Sequence, residues 1–173
     1  MYKKLNQKSL GYPDIFYVLA AEGWVELSNP AEAAAELDNV SHKFQSHPDV
    51  LHVRWAICAR EEKWDASLKI ATTLVKKARK RSRSWLQYSI SLYRLKRTQK
   101  AYLNLLHVVK KFPQEWIIRY ELACFCAQLG KVEEAWSWLD EACQVGVAKA
   151  VKRLAVTDPD LEPLWADEPG KKP

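Results

Sequence analysis

The sequence predicts an all-α chain built as stacked antiparallel helix pairs, and three observations carry that prediction. Small and apolar residues recur at a spacing of 34 along most of the chain. Glycine and proline are scarce, 5 and 8 in 173 residues, leaving few of the turns that an all-β sandwich or a Gly-rich nucleotide fold needs. Each unit also carries two successive apolar helix faces, so it cannot bury its surface alone and needs neighbours to stack on.

The recurrence is clearest in the second helix of each unit. Ala33, Ser67, Ala101 and Ala135 are all small. Four residues later stand Leu37, Ala71, Leu105 and Leu139, and three after those stand Val40, Leu74, Val108 and Ala142. Positions i, i+4 and i+7 share one helix face. Upstream, Ala20 and Ala21 align with Arg54 and Trp55, Tyr88 and Ser89, and Leu122 and Ala123. Three residues on come Trp24, Cys58, Leu92 and Cys126, a second face that precedes the first in every unit.

Taken in order, helices are expected near 14–27, 30–43, 48–61, 64–79, 83–95, 98–111, 115–129 and 132–145. Pro30 fits the first turn of the second helix after Asn29 as N-cap, and Pro48 plays the same part for the third. A ninth helix near 147–155 would cap the open end. After it, Asp158-Pro159-Asp160-Leu161-Glu162-Pro163-Leu164-Trp165 reads as a turn and a short apolar lid whose Leu161, Leu164 and Trp165 cover the last unit. The chain therefore divides into an N-terminal tail (1–13), four repeats (14–147), a capping helix with lid (148–166) and a polar, disordered tail (167–173).

This pattern resembles the tetratricopeptide repeat, W-x2-L-G-x2-Y, then A-x3-F-x2-A, then P over 34 residues. The third unit matches best, with Trp85, Tyr88, Ser89, Leu92, Ala101, Leu105, Val108 and Pro113. Gly130 of the fourth sits where the turn between paired helices requires a left-handed residue. Ser28, Glu62 and Lys96 replace that glycine elsewhere, Arg54 replaces an apolar residue, and Arg79 replaces the terminal proline. The resemblance implies a right-handed α-solenoid, a tetratricopeptide-like superhelix whose concave groove is lined by the first, or A, helix of each pair.

The resemblance also assigns a partner-binding groove: His52 and Arg60 from the second unit, Arg83, Leu86, Ile90, Tyr93 and Arg94 from the third, and Ile117, Tyr120 and Cys124 from the fourth. Tyr93 and Tyr120 would serve as anchors, since each offers a broad apolar face with a polar tip. The family's clamp for acidic chaperone tails is not expected. Its Lys, Asn and Arg positions hold Val18, Glu22, Val53, Arg83 and Gln87 here, and only Arg83 has suitable chemistry.

Charge is segregated. Net charge is +6, yet no Asp or Glu occurs from Ala66 to Gln114, where thirteen of the 27 Lys and Arg fall. The densest part is Lys76, Lys77, Arg79, Lys80 and Arg81. No base-stacking aromatics interleave it, so a solvated junction is preferred over a nucleic-acid site; acidic protein, RNA or anionic lipid remains the alternative partner class. A homo-oligomer whose acidic ends meet the basic middle is a further option.

Other classes fall away. The longest apolar run, Ile15 to Ala21, is too short to span a bilayer, and Met1 to Asn6 lacks the apolar region of a signal peptide. Four scattered cysteines suit reduced thiols and a cytoplasmic protein. Cys124 and Cys126 stand two apart on a helix, which turns the thiols away from one another and makes a poor metal site. No phosphate loop, nucleophile elbow or H-E-x-x-H is present. The expected function is thus a scaffold or adaptor that binds a peptide or helix of another protein, with no catalytic residue, metal or cofactor assigned.

Overall fold

The computed structural model describes residues 9–166. The expected tail at 167–173 and the first eight residues of the N-terminal one lie outside that range. Among the described residues the regular structure is entirely helical, and it falls into two compact units, Met1–Arg79 and Lys80–Pro173.

The first unit holds α1 (Asp14–Glu26), α2 (Pro30–Asp38), α3 (Pro48–Arg60) and α4 (Trp64–Lys77). α1 packs on α2 and α3, and α3 on α4. Val18, Ala21, Ala33, Leu37, Val40, Val50, Val53 and Ile57 make the core, joined by Leu10 from the segment read as tail. α2 stops well short of the expected residue 43. Leu37 O in its last turn and Val40 O just past its end accept from the Gln45 side chain at 2.9 and 2.7 Å, and Ser41 N donates to Asp14 Oδ1 at 2.6 Å. Side-chain partners thus satisfy groups that a longer helix would have paired internally. Both proline starts form as expected: Asn29 accepts from Glu32 N at 3.3 Å, and the His47 ring accepts from Asp49 N.

The second unit holds α5 (Ser82–Arg94), α6 (Thr98–Val108), α7 (Trp116–Gln128), α8 (Val132–Val145) and α9 (Ala148–Thr157), then a short 3₁₀ helix at Pro159–Leu164. α7 packs against α5, α6 and α8, α9 lies on α8, and the 3₁₀ helix returns to α7 and α8. All twelve residues of the 34-spaced B-helix pattern, from Ala33 to Ala142, are buried across the two units.

The repeat is also written in the backbone. Ser28, Glu62, Lys96 and Gly130, each 34 after the last, have φ of 58, 56, 60 and 72°. At each, the following amide donates to the carbonyl five residues back: Asn29 to Trp24, Lys63 to Cys58, Arg97 to Leu92 and Lys131 to Cys126, at 2.8–2.9 Å. This six-to-one bond with a left-handed residue before it is the Schellman closure, which satisfies helix-end carbonyls and reverses the chain.

Candidate functional site

α5 and α7 are the two A helices of the second unit, and the side chains that they present in common hold the start of the 3₁₀ helix of the same chain. After α9, Asp158 caps the 3₁₀ helix: its Oδ1 accepts from Asp160 N at 2.9 Å, so the Asp-Pro-Asp turn is locked from within. Asp158 Oδ2 accepts from Tyr120 Oη at 2.7 Å and from the Cys124 thiol at 3.8 Å. Asp160 Oδ1 accepts from Tyr93 Oη at 2.5 Å, and Gln128 Nε2 donates to Asp160 O at 2.9 Å. Leu161, Leu164 and Trp165 are buried beyond the turn, and the Trp165 ring meets Trp136 edge-on at 6.3 Å.

The electrostatics follow from this geometry. Burial, then the bond to its aspartate, pushes the phenol of Tyr93 and that of Tyr120 up, so both stay protonated donors. Cys124 is likewise pushed up, by burial first and then by Glu121 and the two aspartates. Glu121 is half-buried beside Asp158 and Asp160; burial and those neighbours push its carboxyl up to about 8, against the pull of Arg94. The aromatic bodies of the donors are fixed by ring contacts, Tyr93 to Phe125 at 5.2 Å and Tyr120 to Trp116 at 6.1 Å.

Neither protein-family models nor curated proteins give a match to this chain. Solved structures do. MamA from Desulfovibrio magneticus RS-1, residue 41 to its end, superposes with a TM-score of 0.64 at 14% identity, over 89% of this chain and 90% of that one. PilF of Pseudomonas aeruginosa gives 0.65 at 14%, over 90% and 76%. YrrB, described as a TPR protein with an unusual peptide-binding site, gives 0.62 at 12%, over 92% and 79%. The chain has the all-α tetratricopeptide-repeat fold.

On that fold, the residues assigned to the groove divide by environment. Tyr93, Tyr120 and Cys124 come together on the α5–α7 face, yet what they meet is the chain's own turn; Tyr120 and Cys124 are each only 2% exposed. Leu86, Ile90 and Ile117 are half-buried, and Arg83 and Arg94 are exposed. In the first unit Arg60 is exposed, whereas His52 is buried within α3 and offers no surface to a partner. Of the basic run, Lys76 and Lys77 end α4, and Lys77 Nζ donates to Ser46 O and Oγ at 3.1 and 2.8 Å; Arg79, Lys80 and Arg81 are exposed.

The family's groove positions also include Gln128, which joins this arrangement; sequence reasoning missed Glu121, and the carboxylates of Asp158 and Asp160 as what the tyrosines hold. A signal was present: two aspartates around a proline are a turn that aims both carboxylates outward. Cys124 and Cys126 do diverge, the second donating to Glu134 Oε2 at 3.4 Å, and its thiol is pushed up to about 12 by burial and that bond.

Proposed function

We propose that this protein is an interaction scaffold, which holds a peptide or helical segment of another protein on the A-helix face of its tetratricopeptide repeats. The observation that carries this reading is the α5–α7 face itself: four of its groove positions, Tyr93, Tyr120, Cys124 and Gln128, already grip the acidic N-terminal turn of a 3₁₀ helix through side-chain donors. Leu86, Ile90 and Ile117 supply apolar area on the same two helices, flanked by the cationic Arg83 and Arg94. Such a face suits a segment with apolar anchors and acidic neighbours. YrrB, of the same fold, is described with a peptide-binding site of its own.

Capture from native extract tests the reading. A protein partner should be retained after nuclease treatment and lost when Leu86 and Ile117 are changed to Ala in a chain that keeps its helical circular dichroism. A partner that leaves with nuclease, or that binds the double variant unchanged, overturns it; the former result moves the function to the basic segment.

A further inference from the structure

The α5–α7 face is chemically selective as well as occupied. Its donors include two phenols, a thiol and a primary amide, and what they hold is two carboxylates spaced i, i+2 plus the backbone carbonyl of Asp160. Beyond the second aspartate a leucine, Leu161, is fully buried. The turn needs no outside help to hold its shape, because Asp158 Oδ1 accepts from Asp160 N within it. A self-contained turn with two outward carboxylates and a leucine is a recognition unit that another chain can carry.

We propose that the α5–α7 face is a seat for an acidic turn of the Asp-x-Asp-Leu type, and that the chain's own Asp158–Leu164 segment is a resident competitor which a partner's turn of the same chemistry displaces. This rests on the scaffold reading above and names its partner class. The two tyrosine hydroxyls fix where the carboxylates sit, and Arg94 adds positive charge beside the same cluster, so selectivity combines donor geometry with charge. Being tethered, the resident segment acts at high effective concentration, so an incoming turn must exceed it in contacts or in local concentration.

Occupancy of the seat also involves a proton. Glu121 on α7 faces Asp158 and Asp160 from the docked turn and Arg94 from α5, with Tyr93, Tyr120 and Cys124 around the same carboxylates. A docked turn places two carboxylates beside a third, which favours the protonated form of Glu121. Binding of any such turn is therefore linked to proton uptake and weakens as pH rises.

The test uses a fluorescent peptide of residues 156–166, titrated into the full chain and into its Asp158→Ala/Asp160→Ala variant. The variant should bind the peptide roughly ten-fold or more tightly than the unaltered chain, because its own segment no longer competes at the tyrosines. Changing both peptide aspartates to Asn, or adding Tyr93→Phe and Tyr120→Phe to the variant, should each weaken binding by about ten-fold. Binding to the variant should be weaker at pH 8 than at pH 6, and Glu121→Gln should remove that difference. Equal binding by the two chains, or indifference to the Asn and Phe changes, would show that the segment is only a lid.

Should the aspartate variant lose its helical signal, hydrogen exchange in the unaltered chain decides instead. Excess peptide should speed exchange of the amides of Asp160, Leu161, Glu162, Leu164 and Trp165, and unchanged exchange rejects displacement. A captured partner that binds both chains equally leaves the scaffold standing and rejects this seat; a partner that leaves with nuclease overturns the scaffold and the proposal together.

Discussion

The A helix of the first repeat and that of the fourth come from one 34-residue pattern and have the same length, yet they live in opposite surroundings. α7 buries eight of its thirteen residues, from Ile118 to Ala127. α1 buries three, Asp14, Val18 and Ala21, and leaves Phe16 60% and Leu19 53% exposed. The difference is not one of hydrophobicity, since both helices are apolar on more than one face. α7 has neighbours on every side: α5, α6, α8 and the returning 3₁₀ helix. α1 packs on α2 and α3. In a quasi-one-dimensional array a helix acquires a core from its neighbours, and a chain that folds back on its last repeat supplies a neighbour that the first repeat lacks among the described residues.

The largest expected effect breaks that cover. Leu161→Ala removes a fully buried side chain between the 3₁₀ helix and α7 and should cost about 2–4 kcal/mol in urea unfolding. Phe16→Ala on the open face of α1 should cost about 0.5 kcal/mol or less. Equal costs would mean that α1 is covered in solution and that the contrast between the two helices is wrong.

Next comes the seam at the end of α8. A Cβ on Gly146 would stand 2.8 Å from Trp116 Cγ and 3.1 Å from Ala142 O, so the ring that braces Tyr120 has to move. Gly146→Ala should destabilise by about 1–3 kcal/mol in the same assay and also weaken the seat. A neutral result would show that Trp116 is free to shift and does not fix the tyrosine.

The left-handed turns give a paired prediction. Gly130→Ala puts a Cβ on a residue with φ 72° and should cost about 1 kcal/mol, whereas Lys96→Gly, at φ 60°, should stabilise by up to about 1 kcal/mol. Thermal unfolding reads both, and the two changes should shift Tm in opposite directions.

The subtlest effect is the pH dependence of the covered helix. Because the Glu121 carboxyl is raised from 4.5 to about 8 in the folded chain, the native state holds a proton that the unfolded state releases. Its contribution to stability is full below about pH 4.5 and declines as pH rises toward about 8. Glu121→Gln should flatten this part of the stability profile between pH 5 and pH 8. A slope that the substitution leaves intact assigns the proton to another group.

Periodicity, small residues and helix caps determined the repeat from the sequence. Ala33, Ser67, Ala101 and Ala135 mark close helix–helix contacts because only a small side chain fits there, and the 34-residue spacing survives in the turns even where Ser28, Glu62 and Lys96 replace glycine. Those features are local, acting within one helix or between adjacent ones, so a single chain read in order displays them. What the sequence left undecided was which groove positions face solvent. Tyr93 and Tyr120 have the composition of anchors, and Cys124 is a groove position, in either case; nothing in the sequence marks Glu121 on α7. Only the tertiary fold decided that residues 38 and 67 positions further along the chain return to them, because hydrogen bonds between Tyr120 and Asp158 and between Tyr93 and Asp160 depend on where α9 turns. That path is set by the packing of α9 on α8 and by burial of Leu161, long-range contacts that no repeat period encodes.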